Sequence, residues 1–396
     1  MSSLTADLDA AARIGGDERG GVTRFAWSPE LARANAWLMQ QLAELGLETE
    51  LDPAGNVIGR WETGAGKAVA LGSHLDTVPS GGRYDGALGV LAALDVVRRL
   101  KADGVEPNRP LWVISFNDEE GGRFQTGMLG SRAFCGDCDF EDWERRGVAD
   151  AMAEAGFDFG RLGEAARVGE LGAYLELHIE QGPVLERNRI DLGVVTAVTG
   201  MLGFRVRLTG EANHAGTTPM ELRRDALAGA ARVVLALREV ARGRDDMTAN
   251  VGVITAEPGG FNVVPGVSEL TIDVRSPTAE GFAWLEPFVR KTLKRIAAEE
   301  HLGLELRETH RKLPVALDAA LQDVLEAAAH AEGATTLRMP SGAGHDAMVL
   351  AHHVPAAMLF VPSRGGLSHT PDEFTPPEQC ELGARVLARA VRQLVA

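Results

Sequence analysis

Four short apolar runs in this chain each break off into a cluster of histidine and acidic residues. That recurrence restricts the fold more than any other feature. Ala68–Gly72 leads into Ser73-His74-Leu75-Asp76 and, shortly after, Gly82-Arg83-Tyr84-Asp85-Gly86. Leu111–Phe116 leads into Asn117-Asp118-Glu119-Glu120-Gly121-Gly122. Tyr174–Glu180 alternates as a strand does, contains His178 and is followed by Gln181. Ala357–Val361 precedes Ser368-His369-Thr370-Pro371-Asp372-Glu373. An apolar helix at Leu88–Leu100 separates the first two runs, and strand, helix, strand at that spacing predicts a βαβ unit in a parallel sheet. Such sheets bind ligands beyond the carboxyl ends of their strands. A lone histidine, or one His-x-Asp pair, is most often a structural group; four clusters at the strand ends of one α/β domain point to a site.

At 396 residues the chain exceeds what one hydrophobic core sustains, so two domains are expected. Ser28-Pro29-Glu30 offers an N-cap with proline at the first helical position. Asp52–Gly55 reads as a turn between two strands, the second at Asn56–Trp61. Asp318–Ala331 and Glu378–Val395 are predicted helices. The middle differs: strand 203–209, helix 222–242, strands 249–256 and 267–275, helix 279–300, strand 304–309. That βαββαβ order is the split-βαβ, ferredoxin-like pattern. It is read as an insertion at 203–315, which leaves 1–202 and 316–396 for the α/β domain.

Imidazole and carboxylate are the ligands zinc takes where thiolate is lacking. Asp76 can hydrogen-bond the far nitrogen of His74 and fix its tautomer. Asp85, on a glycine-rich turn, can place one oxygen on each of two ions. Of the adjacent acids, Glu120 suits a metal and Glu119 a general base acting on water that the metal acidifies to a pKa of about 7. Cys135 and Cys138 have zinc-ribbon spacing, but the third and last cysteine is Cys380, so free thiols in a reducing cytoplasm are expected.

The phrases Gly72–Asp76, Gly82–Gly86, Asp118–Gly121, Glu176–Gly182 and Ser368–His369 together resemble the hydantoinase/carbamoylase group of dinuclear zinc amidohydrolases. That group contains N-carbamoyl-L-amino acid hydrolases and allantoate and ureidoglycolate amidohydrolases, within the aminoacylase/carboxypeptidase superfamily. The resemblance spans nearly the whole chain. It implies a mixed-sheet, metallopeptidase-like α/β catalytic domain with an inserted lid and dimerisation domain. It implies two divalent ions, zinc before manganese or cobalt, with His74 and His178 on one, Glu120 and His369 on the other, Asp85 bridging, and Glu119 as base. Many superfamily peptidases carry a carboxylate where this chain has His178, which favours the carbamoylase branch over an aminoacylase or dipeptidase. Intact metal and base positions speak against an inactive binding protein.

The resemblance further implies that His214, Asn262 and Arg275 of the insertion reach the substrate, the histidine coming from a partner subunit of a homodimer. Gln181, Gly342 and Ala343 match substrate-contact positions. Arginine's planar fork suits a carboxylate, and a chain of net charge −16 needs a local cation to hold an anionic substrate. The same charge disfavours nucleic acid and anionic membranes as partners. No run approaches the ~20 apolar residues of a membrane span, and the first residues lack the apolar core of a secretory signal. Hydrolysis of an N-carbamoyl-L-amino acid is the expected activity, with allantoate or ureidoglycolate as the alternative substrate.

Overall fold

The computed structural model describes residues 4–396. The chain forms two compact units, one of residues up to Thr196 together with Leu317–Ala396, the other Ala197–Ala316.

The first unit is built on a mixed sheet. At its centre, in spatial order, lie Leu111–Phe116, Ala68–His74, Leu171–Ile179 and Ala356–Val361, each parallel to its neighbour. Every residue of three of these strands is buried. Continuous apolar runs such as Leu-Trp-Val-Ile-Ser-Phe are what a sheet covered on both faces requires. The flanking strands run antiparallel: Val57–Trp61, hairpin-paired to Glu48–Leu51, on one side, and Leu192–Val198 on the other. Helices Leu4–Arg13, Ala87–Ala102 and Pro377–Leu394 pack their apolar faces into the largest core cluster. Full burial of one Leu or Val contributes roughly 1.5–3 kcal/mol, so this core carries the unit's stability. Ser28 caps helix Pro29–Glu44 by accepting the Leu31 N–H at 3.1 Å.

The second unit is a four-stranded antiparallel sheet. Its spatial order is Gly303–Lys312, Gly200–Thr209, Val267–Ser276, Thr248–Ile254. Strand Val267–Ser276 alternates half-buried and buried residues along its whole length. The buried set, with Leu202, Phe204, Val206 and Leu208, packs under helices Ala226–Arg242 and Ala279–Glu299. Asp225 starts the first helix by accepting the Leu227 and Ala228 N–H groups. The edge strand Thr248–Ile254 leaves Val253 and Ile254 exposed. Among the described residues, no helix is long and apolar enough to cross a membrane.

Candidate metal centre

All four central parallel strands end on the same side, and each delivers chemistry there. His74 is the last residue of its strand, and His178 is the penultimate residue of its own; both are 1% exposed. The Nδ1 of His74 lies 2.9 Å from the backbone oxygen of Asp76, and that of His178 lies 2.9 Å from the oxygen of Ile179. A carbonyl only accepts, so in the neutral rings the proton sits on Nδ1 and Nε2 offers its lone pair inward. Both Nε2 atoms face Asp85 Oδ1, at 3.7 Å from His74 and 3.2 Å from His178. The other oxygen, Oδ2, meets His369 Nε2 at 3.2 Å, and that nitrogen is 3.4 Å from Glu120 Oε2. Asp85 can approach this closely because Gly86 turns the chain at φ 62°, where a Cβ would fall 2.4 Å from the His74 ring.

Two residue triples therefore share Asp85: with His74 and His178, and with Glu120 and His369. In each, one ligand atom per residue lies within 4.8 Å of the others. The set is imidazole nitrogen and carboxylate oxygen without thiolate, which fits zinc and neighbouring divalent ions. Glu176, His178 and His345 meet the same spacing. However, Glu176 already accepts Ser73 Oγ–H and the Ala347 N–H, and His345 Nε2 is 2.8 Å from Ser341 Oγ. Glu119, 8% exposed, brings Oε2 to 3.6 Å from His74 Nε2, beside the first triple.

The electrostatics also call for cations. Asp76, Asp85, Asp118, Glu119, Glu176, Asp346 and Glu373 are all buried, whereas Arg24 is the one buried Arg or Lys among the described residues. Burial, then the charge of Glu120, push Glu119 well above the usual carboxylate range. Burial, then Asp85, push Glu120 up to about 8. Asp85 is the exception: burial opposes ionisation, but hydrogen bonds from His178 and His369 hold it well below its ordinary value. Those two histidines are pushed up to about 9. For His369 the Asp85 hydrogen bond leads; for His178 burial works against the same bond and loses. A cation bound here would take up lone pairs that these groups otherwise hold protonated, releasing those protons.

The structure corrects the expected role of Asp76. Its carboxylate is 3.7 Å from His74 Nδ1, beyond a hydrogen bond, and the imidazole is held by the Asp76 main-chain oxygen instead. The carboxylate accepts the backbone N–H groups of Glu119 and Glu120, each at 3.2 Å. Asp76 therefore orients the loop that carries both acids. Gln181, expected at the substrate, donates from Nε2 to Asp85 Oδ2 at 2.9 Å. Asp118, Gln181 and His369 all hold left-handed backbone, at φ 57°, 58° and 58°. Non-glycine residues in that region concentrate at functional sites.

Gly342 and Ala343 lie on the loop between strand Thr336–Ser341 and helix Asp346–Leu350. Ser341 Oγ accepts the Ala343 N–H at 3.1 Å. In the second unit, His214 and Asn262 are neighbours and both are exposed: His214 pairs with Val263, and Ala215 N–H donates to Asn262 oxygen at 2.9 Å. Arg275 stands near the end of strand Val267–Ser276 in the four-stranded sheet, its fork engaging Asp273 through Nε at 3.0 Å and Nη2 at 2.8 Å. Sequence reasoning gave no role to Arg24, Glu176, Ser368 or Glu373. All four have partners distant in the chain, and the visible signals were the positions of Glu176 beside His178 and of Ser368 and Glu373 beside His369.

The model of peptidase family M20/M25/M40 matches residues 70–393. The chain belongs to that family. Among M20 relatives, an N-carbamoyl-L-amino acid amidohydrolase of Geobacillus stearothermophilus is 40% identical over 389 residues, covering 96% of this chain and 95% of the relative. An allantoate amidohydrolase of Bacillus subtilis is 37% identical over 403 residues, covering 99% and 97%. The crystal structure of a hydantoinase/carbamoylase family amidase from Burkholderia multivorans superposes with TM-score 0.92 at 35% identity, covering 99% of this chain and 97% of that one. The resemblance to the hydantoinase/carbamoylase branch of the M20 family thus holds from end to end.

Proposed function

We propose that this M20 protein is a two-metal amidohydrolase that cleaves the C–N amide bond of an N-carbamoyl-L-amino acid. The observation that carries the reading is Asp85, set between two groups of metal-binding side chains with one oxygen toward each. His74 and His178 would hold one ion and Glu120 and His369 the other, with Asp85 serving both. Zinc suits the donors best, and manganese or cobalt could replace it. When bound, the ions supply Lewis-acid polarisation of the ureido carbonyl, a poor electrophile flanked by two nitrogens, and they acidify water.

Glu119 does the proton work. Buried beside His74, it removes a proton from water as the carbonyl is attacked and returns it to the departing amine nitrogen. The products are the free amino acid and carbamic acid, which falls apart to carbon dioxide and ammonia. Asp76 keeps Glu119 in place through its backbone. In the inserted unit, Arg275 and Asn262 would hold the substrate carboxylate, and His214 would stabilise the developing oxyanion. Gln181, Gly342 and Ala343 would line the substrate on the metal-bearing unit.

We read the protein as a homodimer in which each inserted unit lends His214 to its partner. Support comes from that unit's surface: His214 and Asn262 are exposed, Phe261 beside them is fully so, and Leu235, Val253 and Ile254 are exposed apolar groups. Cys135, Cys138 and Cys380 are free thiols, which suits a cytoplasmic protein. Allantoate is the second substrate reading, favoured by the Bacillus subtilis relative. Ammonia release from a panel of N-carbamoyl-L-amino acids, allantoate and ureidoglycolate decides between them. It is measured after chelation and after restoring zinc, manganese or cobalt. Turnover should vanish on chelation and return with metal. Chelated protein working at the untreated rate would end the metal reading.

A further inference from the structure

Glu373 is 3% exposed and makes bonds that no metal ligand needs of it. Its Oε1 accepts two successive backbone N–H groups, Tyr84 at 2.9 Å and Asp85 at 3.0 Å, from the loop that presents Asp85. Its Oε2 is 2.9 Å from the hydroxyl of Ser368, which also lies 3.0 Å from Asp85 Oδ2. Its own N–H donates to Thr370 oxygen at 3.1 Å, closing the turn that carries His369. One buried carboxylate therefore ties the Asp85 loop to the His369 turn, much as Asp76 ties down Glu119 and Glu120.

The two triples depend on this tie unequally. His74 and His178 sit on buried strands, with their rings already fixed by main-chain oxygens. The side chain of His369 is 50% exposed, on a left-handed turn residue, and among the described residues its ring is held by Asp85 and Glu120 alone. We infer that Glu373 is a positioning residue for the Glu120/His369 metal position, setting the affinity of that ion far more than that of the His74/His178 ion, which shares only Asp85 with it. The inference rests on the two-metal reading above.

The test is a cobalt titration of metal-stripped protein, followed by absorption and by elemental analysis of bound ions. The unaltered protein should bind two ions. Glu373→Ala should weaken one ion roughly 10- to 100-fold, the usual effect of removing a group that orients a ligand, and the other by much less. Glu373→Gln still offers a carbonyl oxygen to the Tyr84 and Asp85 amides, so it should recover most of the loss. Gly82→Ala provides a separate route should Glu373→Ala fold poorly. Its Cβ would sit 1.9 Å from Glu373 Oε1 and displace the carboxylate, so it should reproduce the selective loss with the charge retained. Glu373→Ala or Gly82→Ala binding both ions as the unaltered protein does would overturn the assignment, as would equal weakening of both ions. If the unaltered protein binds no ion, it is the two-metal reading that fails.

Discussion

The two units hold their functional side chains in opposite ways. In the first unit, His74, Asp85, Glu119 and His178 are at least 92% buried, the rings fixed by the main-chain oxygens of Asp76 and Ile179 and the loops by backbone N–H groups donated to the carboxylates of Asp76 and Glu373. In the inserted unit, His214 is exposed on a two-residue pairing with exposed Asn262 just before its partner strand, and Arg275 shares its fork with Asp273. Fixed charges that face ions must be preorganised, because a misplaced ligand or base forfeits the electrostatic gain. Groups that close on a substrate can stay in water until it arrives, and ordering them then costs binding free energy. On the function proposed above, one unit would serve placement and the other capture.

Substitutions in each unit test that contrast. The largest effect is expected at Glu119. Glu119→Gln keeps shape and metal content but removes the base, so kcat should fall roughly 100-fold or more, with both ions still found by elemental analysis. Retained turnover would move the base elsewhere, with Asp118 the first suspect. His214→Ala should cost about 100-fold in kcat, as losing one oxyanion donor does, with metal content unchanged. Mixing inactive Glu119→Gln and His214→Ala chains under subunit exchange should restore activity, because one site per heterodimer is then intact. Mixed dimers without activity would show that His214 does not act across subunits. Arg275→Lys keeps the charge and loses the fork, so KM for carboxylate substrates should rise roughly tenfold while kcat moves little. A kcat loss larger than the KM change would place Arg275 in the chemistry rather than in capture.

The smallest expected effect lies in stability. In metal-free protein, burial pushes Asp118 and Glu120 up to about 8, the former with help from Asp76 and the latter from Asp85. The unfolded chain releases these protons near pH 4. Between about 4 and 8 the folded state therefore binds more protons, and stability falls as pH rises through that window. Metal-free protein should melt at lower temperature at about pH 8 than at about pH 5.5, and metal loading should flatten the difference. Equal slopes with and without metal would show that the acids are not compensated by the ions.

Much of this arrangement was readable from the chain because it is local. A strand buried on both faces announces itself as an apolar run, and a cluster at its end announces the site; His74, Glu120, His178 and His369 all follow that rule. The four-strand pattern of the insertion was readable from alternation, as in Val267–Ser276. What stayed hidden is what depends on distant partners. Asp76 was assigned to the ring two residues away, but its carboxylate serves amides 43 and 44 residues on. Glu373 grips amides 289 and 288 residues before it. Strand Leu192–Val198 went unread because it runs almost directly into the next strand at Gly200 with no turn residues to part them.

The left-handed backbone at Asp118, Gln181 and His369 has a consequence for how such a chain drifts or is bred. Each holds a conformation that costs a non-glycine residue on the order of 1 kcal/mol. Selection for thermal endurance alone would accept glycine at Asp118 and Gln181, since glycine enters that region freely. His369 has no such escape, because glycine there deletes an imidazole that, on the proposed function, holds an ion whose binding stabilises the fold. A lineage screened only for survival on heating should therefore relax two of the three positions and keep the third. It would emerge sturdier and slower, with the tension left concentrated on the turn that carries His369.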